Sequence, residues 1–228
     1  MRIEILTIFP ALFESFLNSS LISKAIERDL IRIAVTNVRD FSEAPHHKVD
    51  DEPFGGGAGM VMKPEPLSLA IEAAKAKLTN PKAILLSPSG SIFKQASAKQ
   101  LSTESDLIFI CGRYEGVDQR VIDKYVDLEL SVGDYVVMGG EVPCMLVIEA
   151  ITRLIPEVLG NSESIEHESF SKENLLESPQ YTRPAEYKGD LVPDILLSGD
   201  HKKIAAWRKE QSILKTKKVR PDLLNGKN

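Results

Sequence analysis

Three loops that follow apolar runs have the composition of a ligand pocket. They are LLSPSG at 85–90, CGRYEG at 111–116 and SVGDYVVMGGEVP at 131–143. Glycine lets the backbone approach a ligand where a side chain would collide. Neither of the two glycine-rich loops matches GxGxxG or a Walker P-loop, the motifs that cradle phosphate. The pattern therefore favours a cofactor without phosphate, with plain tight turns as the alternative.

A further cluster, FGGGAGM at 54–60, contains three consecutive glycines that core packing does not explain. The residues before it are mostly polar or charged: His46, His47, Lys48, Asp50 and Asp51. Because functional groups concentrate on loops held by a rigid scaffold, we expect this segment to contact a substrate. A flexible surface loop is the alternative. No further His or Cys completes the ligand spacing of a structural zinc site, so we predict no metal site here.

Several ionisable side chains beyond residue 150 are candidates for acid–base chemistry. Arg153 ends a predicted helix that begins near Glu141, and Glu163, Glu166 and Glu168 follow it. A carboxylate can act as a general base, and a guanidinium can stabilise negative charge that develops on a substrate. Arg153 could equally favour the helix C-terminus, and the glutamates could be solvated charges. Spacing alone leaves these alternatives open.

An alternation of strands and helices is predicted to position the loops. Apolar runs predict strands at 2–8, 31–38, 82–87, 106–110 and 126–132. Helical spacing predicts helices at 10–17, 19–28, 64–78, 95–102, 117–124 and 141–154, with Asn18 and Pro64 as start signals. This order is typical of an α/β fold with a parallel sheet covered on both faces. In such folds ligands bind outside the carboxyl ends of the strands, where the loops lie.

Composition divides the chain into three parts. We predict a first domain at 1–156, a flexible linker rich in Ser, Glu and Asn at 157–178, and a small basic helical domain at 179–228. The whole chain has a net charge of −5, but residues 200–228 alone carry +6. This basic segment is either a solvated helix face or a surface that contacts RNA.

The remaining composition excludes several classes of protein. The two cysteines, Cys111 and Cys144, form no CxxC, which indicates neither a disulfide framework nor a zinc site. No apolar run is long enough to span a membrane, and the first residues lack the pattern of a secretory signal. We therefore expect a cytoplasmic protein.

Long motifs in register make the chain resemble a known family. VDDEPFGGGAGMVM, LSPSG, CGRYEGVDQRV, SVGDYVVMGGEVPCM, SPQYTRP and LLSGDHKKIAAWR together resemble the bacterial tRNA (guanine-N1)-methyltransferases over nearly the whole chain. The resemblance implies a SPOUT-type parallel α/β domain with a deep trefoil knot, plus a small C-terminal helical domain. It also implies a homodimer with active sites at the interface, and methylation of guanine 37 in tRNA, beside the anticodon.

The resemblance assigns roles to particular positions. It implies that the three loops bind S-adenosylmethionine through Leu86, Ser87, Pro88, Gly112, Arg113, Tyr114, Glu115, Val132, Gly133, Tyr135, Val137, Gly139, Gly140 and Pro143. The substrate contacts predicted for the preceding segment and FGGGAGM are His46, Asp50, Gly57 and Gly59. A magnesium requirement is also implied, although the sequence contains no visible ligand set for it.

The chemistry of guanine requires a general base. N1 of neutral guanine carries a proton that must leave when the methyl group is attacked. In the family a linker Asp takes this proton and an Arg after the knot supports it. The Arg corresponds to Arg153, whereas Glu168 stands where the family has Asp. Glu keeps the carboxylate at a similar reference pKa and adds one methylene. We predict Glu168 as the base, with Glu166 or a bridging water as alternatives.

Two other functions remain as alternatives. One is another SPOUT methyltransferase that acts on ribosomal RNA or on a ribose. The segment HHKVDDEPFGGGAGM and the linker through QYTRP resemble the tRNA family instead, and ribose methylation would not require the linker carboxylate. The other is a non-catalytic RNA-binding protein with the same fold, which only the change from Asp to Glu168 favours.

Overall fold

The structure is a computed structural model that describes residues 1–160, 168–171 and 174–224. The chain divides into two compact units, Met1–Gly160 and Asn161–Asn228. No helix within the described ranges has both the length and the apolar character that crossing a bilayer requires.

The first unit is built on a parallel sheet of five strands, in the order β2-β1-β6-β5-β7. The strands of the unit are β1 (Arg2–Thr7), β2 (Arg32–Asn37), the short β3 (Asp50–Asp51) and β4 (Val61–Met62), β5 (Lys82–Ile92), β6 (Asp106–Cys111) and β7 (Leu128–Ser131). Every residue of β6 is buried, as a strand covered on both faces requires. The prediction of a parallel α/β fold is confirmed.

Helices pack on both faces of this sheet and close two apolar cores. They are α1 (Glu14–Leu17), α2 (Ser20–Glu27), α3 (Pro64–Lys77), α4 (Gln95–Leu101), α5 (Gln119–Tyr125) and α6 (Glu141–Thr152), with 3-10 turns at Pro10–Phe13 and Val38–Phe41. Successive residues of β6 point to opposite faces, so Phe109 packs with Ile148 of α6 and Ile108 packs with Ile71 of α3. Each helix lies within a few residues of its predicted position.

The two predicted helix start signals have different outcomes. Pro64 is the first residue of α3, where its missing N–H costs no helical hydrogen bond. The prediction for Asn18 is wrong, because this residue ends α1 instead of starting α2. Its side-chain amide donates to the carbonyl of Glu14 at 2.8 Å, which satisfies an acceptor that the end of a helix leaves open.

A bulge in β5 forms the first of the three predicted cofactor loops. Both Leu86 and Ser91 are paired with Leu130 of β7, so residues 87–90 leave the ladder and return to it. Gly90 closes this bulge against the neighbouring strand. A Cβ at Gly90 would lie 2.5 Å from the carbonyl carbon of Glu129, so no larger residue fits without moving the backbone.

The second unit consists of a small hairpin and helices. The hairpin pairs β8 (Glu186–Tyr187) with β9 (Asp190–Leu191), and the helices are α7 (Asp194–Leu197) and α8 (His201–Val219), followed by a 3-10 turn at Pro221–Leu224. The N–H of Leu176 donates to Thr216 Oγ1 of α8 at 2.9 Å, which ties the segment before the hairpin to this helix.

The predicted linker at 157–178 falls on both sides of the division between the units. Val158 is buried with Ala25 and Ile31, so the start of this stretch packs in the first unit. Glu163 and Glu166 lie outside the described residues. The backbone carbonyl of Glu168 accepts from the N–H of Ser171 at 3.2 Å.

A buried carboxylate at the start of β6 predicts a loss of stability in acid. Asp106 accepts from Arg2 Nε at 2.6 Å and from Arg2 Nη2 at 2.8 Å, and the Arg2 guanidinium lowers the pKa of Asp106 from 3.8 to about 2. The folded state therefore gains stability above pH ~4 and loses it as the pH falls toward 2. We expect Asp106→Asn to lower the free energy of unfolding by about 1 to 3 kcal/mol at pH 5.

Urea unfolding of the wild type and of Asp106→Asn at pH 5, 4 and 2 checks this prediction. The difference between the two proteins should shrink steadily toward pH 2, where the wild-type carboxyl is itself half protonated. A difference that stays constant over this range would contradict the role given to the ionised Asp106.

Candidate active site

The carboxyl ends of four parallel strands lie at one edge of the sheet. Thr7 ends β1, Cys111 ends β6 and Ser131 ends β7, while Leu86 precedes the bulge of β5. This is the edge at which open α/β sheets bind ligands. The three loops predicted to bind a cofactor therefore start from neighbouring strands.

The second and third loops are held together through their backbones. The N–H of Gly140 donates to the carbonyl of Gly112 at 2.8 Å, and Arg113 forms a bridge with Gly139. A Cβ at Gly140 would lie 2.8 Å from the Cα of Cys111 and 2.9 Å from the N of Gly112. Gly140 has a φ of −76°, which any residue can adopt, so the missing space and not the conformation requires glycine here.

A buried ion pair fixes the same junction through side chains. Arg113 Nε lies 2.8 Å from Glu141 Oε2, and Thr7 Oγ1 donates to Glu141 Oε1 at 2.8 Å. Glu141 is 1% exposed, so both of its oxygens have a partner away from water. Arg113 also donates to the carbonyl of Met138 at 3.2 Å and lies over the ring of Phe9 at 4.5 Å. Removing one partner of such a pair leaves an uncompensated buried charge, which costs about 3 to 5 kcal/mol.

Sequence reasoning assigned no role to Thr7 or Glu141 at this site. Glu141 was identified only as a helix start, where an acid favours the helix dipole whether or not it has a partner. Its contact with Thr7 joins residues that are 134 positions apart. The signal that could have found Glu141 is its position directly after Gly139 and Gly140, since a charge beside a close backbone approach has little room for water.

The third loop turns back on itself before it reaches α6. Ser131 Oγ donates to the carbonyl of Gly133 at 3.0 Å, and the Tyr135 ring packs so closely that a Cβ at Gly133 would lie 2.4 Å from its Cε1. Tyr135 and Val137 remain about half exposed, and Pro143 is buried in α6. The loop therefore presents the half-exposed side chains of Tyr135 and Val137 at the carboxyl edge of the sheet.

The glycine-rich segment at 54–60 packs against the second loop. The N–H of Glu115 donates to the carbonyl of Met60 at 2.9 Å, and a Cβ at Gly59 would lie 2.4 Å from Glu115 Oε1. The structure thus brings Gly59, predicted to contact substrate, next to a residue predicted to bind cofactor. Gly57 has a φ of +125° and open space around it, so it is free of packing constraints.

The other residues of the predicted substrate region are spread around this loop. Asp50 is half-buried in β3, opposite Met62 of β4, and His46 is exposed. Sequence reasoning did not single out Phe54, whose side chain is fully exposed at the start of the glycines.

The cysteine between the loops is buried and chemically quiet. Burial raises the pKa of the Cys111 thiol well above its usual range, and the neighbouring Cys144 raises it further. Because the thiolate is the reactive form, Cys111 is a poor nucleophile. Both cysteines are free and buried, and they pack in the core beneath the loops.

Arg153 lies at the opposite end of α6 from the glycine loops. It is the residue that follows the last turn, as predicted, and the 12 residues of α6, about 18 Å of helix, lie between it and Gly140. Arg153 lines a cavity of about 470 Å³ together with Leu12, Leu21 and Glu149. Within the described residues, the buried hydroxyl of Thr152 in the same cavity has no hydrogen-bond partner. One copy of the first unit therefore does not bring Arg153 to the three loops.

No group of three or more His, Cys, Asp or Glu side chains that could hold a metal ion occurs in the part of the chain that is described. The magnesium requirement implied by the resemblance remains a prediction.

Comparison with known proteins gives a consistent result. The model of the family described as tRNA (Guanine-1)-methyltransferase TrmD matches residues 1–226. A protein of Citrifermentans bemidjiense named tRNA (guanine-N(1)-)-methyltransferase is 50% identical over 99% of this chain and 90% of its own length. Proteins of the same name from Clostridioides difficile and Carboxydothermus hydrogenoformans are 49% and 53% identical, over 100% and 98% of this chain and 99% and 87% of their own lengths.

Proposed function

Because the chain belongs to the tRNA (guanine-1)-methyltransferase TrmD family, we propose that it methylates N1 of guanine 37 in tRNA with S-adenosylmethionine as the donor. The observation that carries the proposal is the junction of the second and third loops, where Gly140 meets Gly112 and the buried pair of Arg113 and Glu141 holds them. The relatives that match the chain over nearly its whole length bear the name of this activity.

The loops suit a cofactor that lacks phosphate. They offer the half-exposed side chains of Tyr135 and Val137, and aromatic and apolar side chains are the usual lining of small-molecule sites. Glycine at 139 and 140 lets the third loop approach the second closely. When bound, S-adenosylmethionine supplies a methyl group on a sulfonium, which is electrophilic without further activation. The task of the protein is then to orient the groups and to manage one proton.

Removal of the proton from N1 of guanine requires a general base. We assign Glu168 as the base that accepts it, because its position corresponds to the catalytic Asp of the family. As the N1 proton passes to Glu168, the guanidinium of Arg153 stabilises the negative charge that gathers on O6. His46, Asp50, Gly57 and Gly59 bind the tRNA around the target base.

A homodimer would allow Arg153 and the loops to act on the same guanine although they are far apart in one copy. The length of α6 keeps them about 18 Å apart in one copy, so a second copy must contribute Arg153 if both act on one guanine. Exposed apolar side chains on α6 and around the cavity of Arg153 support such an interface: Leu12, Leu21, Val142 and Leu146. Exposed apolar surface of this kind marks interaction sites in soluble proteins.

Three further parts of the proposal rest on the family resemblance. The first is the deep trefoil knot of the SPOUT fold, which the resemblance implies for the first unit. The second is that the basic second unit binds tRNA through phosphate contacts, which weaken with added salt. A cytoplasmic location follows from the substrate.

The proposed function is tested on the product. Wild-type protein, S-adenosylmethionine and unmodified tRNA transcript are incubated, and the RNA is then reverse transcribed. N1 methylation blocks Watson–Crick pairing, so we expect a stop at guanine 37 that depends on the cofactor. A transcript with adenine at position 37 serves as control. Methyl label at a ribose or at another position would favour the related SPOUT activities, and cofactor binding without any methyl transfer would favour a non-catalytic RNA-binding protein.

A further inference from the structure

The second unit contains a cavity that the proposed catalytic residues do not use. It has a volume of about 330 Å³, within the range of small-molecule sites. The motif SPQYTRP forms one wall with Gln180, Tyr181 and Arg183, and α8 forms another with Ile204 and Arg208. Since Ile204 and Arg208 are four residues apart, they lie on the same face of the helix, which is directed at the cavity.

We propose that this cavity binds one unstacked nucleotide of the RNA substrate, with the base on Tyr181 and its phosphate at Arg183 and Arg208. The proposal deepens the proposed function and rests on it, because it takes tRNA as the substrate. It assigns to the SPQYTRP motif a binding role outside the methyl-transfer site.

The floor of the cavity suits a nucleobase. Apolar side chains from α7 and from the segment before it line it, including Val192, Leu196 and Leu197. Tyr181 is about half exposed, so its ring presents a face to the cavity as well as to Trp207, 6.5 Å away between ring centroids. RNA-binding proteins recognise unpaired bases by stacking them on such rings.

The charge around the cavity suits a phosphate. Arg183 and Arg208 are exposed, and none of the described lining residues is acidic. The helix α8 that supplies Arg208 carries seven Lys or Arg residues and only Glu210 as an acid. Arginine binds phosphate through a planar set of donors, and the surrounding positive charge attracts the RNA backbone. An apolar floor with a basic rim distinguishes the site from a uniformly charged helix face.

The chain offers a direct probe, because Trp207 is its single tryptophan. We expect unmodified tRNA to quench the fluorescence of Trp207 in a saturable way in the full-length protein. Tyr181→Ala should weaken tRNA binding by about fivefold or more, since stacking of one base on an aromatic ring contributes at least that factor. Tyr181→Phe keeps the ring and should stay within about twofold of the wild type. Arg208→Ala should weaken binding by a similar factor and reduce the salt dependence by about one phosphate contact.

Lys202→Ala is the matched comparison for charge, since it removes one cation from the same helix outside the cavity. In methylation assays, Tyr181→Ala and Arg208→Ala should raise KM for tRNA, with kcat and cofactor affinity unchanged. The proposal is overturned if both variants bind tRNA as tightly as Lys202→Ala does, or if Tyr181→Phe is as weak as Tyr181→Ala. Wild-type protein that binds tRNA through these residues but adds no methyl group to guanine N1 would instead defeat the proposed function and leave the cavity's role in place.

Discussion

Glu168→Gln is expected to lower the rate of methyl transfer by about 10² to 10⁴, the contribution typical of a general base. Glutamine fills nearly the same volume as glutamate but cannot accept the N1 proton. The affinities for S-adenosylmethionine and tRNA should stay close to those of the wild type, so the loss falls on kcat. Single-turnover assays with saturating cofactor measure this step directly.

Two further variants decide whether the carboxylate or only the side chain's bulk matters. Glu168→Asp introduces the residue that the family resemblance implies at this position, and we expect it to retain methylation within about tenfold, because a shorter side chain alters reach more than basicity. Glu166→Gln tests the neighbouring alternative and should remain active. Full activity of Glu168→Gln together with an inactive Glu166→Gln would transfer the role to Glu166.

The strands and helices of the first unit were predictable because each depends on local periodicity. β1, β2 and β6 match the predicted runs within one residue at each end. β7 begins two residues later than predicted, and the short strands β3 and β4 were not predicted. β5 departs furthest, since it continues to Ile92 by pairing again with β7 after its bulge. The second pairing depends on the position of β7, so the pattern of residues 82–92 alone could not predict it. Asn18 was misplaced for a related reason, as its amide can serve the end of one helix as well as the start of the next.

The loops of the candidate site were predictable from glycine, but the contacts that hold them were not. Gly139 and Gly140 predict that the backbone there lies close to another part of the protein. That their neighbours are Arg113 and Cys111 is evident only in the folded chain. Likewise, the pair of Arg113 and Glu141 and its hydrogen bond from Thr7 join three separate elements. Features that depend on local sequence could therefore be predicted, whereas contacts between residues distant in the sequence could not. Arg153 shows the same limit, because its distance from the loops emerges only when α6 is seen as one continuous helix.

The distance between Arg153 and the loops predicts that two inactive variants regain activity when they are mixed. Gly140→Val places side-chain atoms where a Cβ already lies 2.8 Å from the Cα of Cys111, so the second and third loops must separate. We expect this variant to lose measurable binding of S-adenosylmethionine and therefore all activity. Arg153→Ala should bind the cofactor normally but lose about 10²-fold or more in rate, by analogy with the removal of other groups that stabilise transition-state charge.

If each active site takes its loops from one copy and Arg153 from the other, the two inactive variants complement each other. Subunit exchange between equal amounts yields heterodimers in which one of the two sites has intact loops and an intact Arg153. With random pairing, about a quarter of the wild-type activity should return, as the statistics of a two-fold dimer require. Co-expression with two different affinity tags isolates the heterodimer, and cofactor titration should then find one binding site per dimer. A tagged heterodimer that binds one cofactor and still fails to methylate tRNA would place Arg153 and the loops of the same copy in one site. The length of α6, about 18 Å, argues against that outcome, because the helix keeps its two ends apart within one copy.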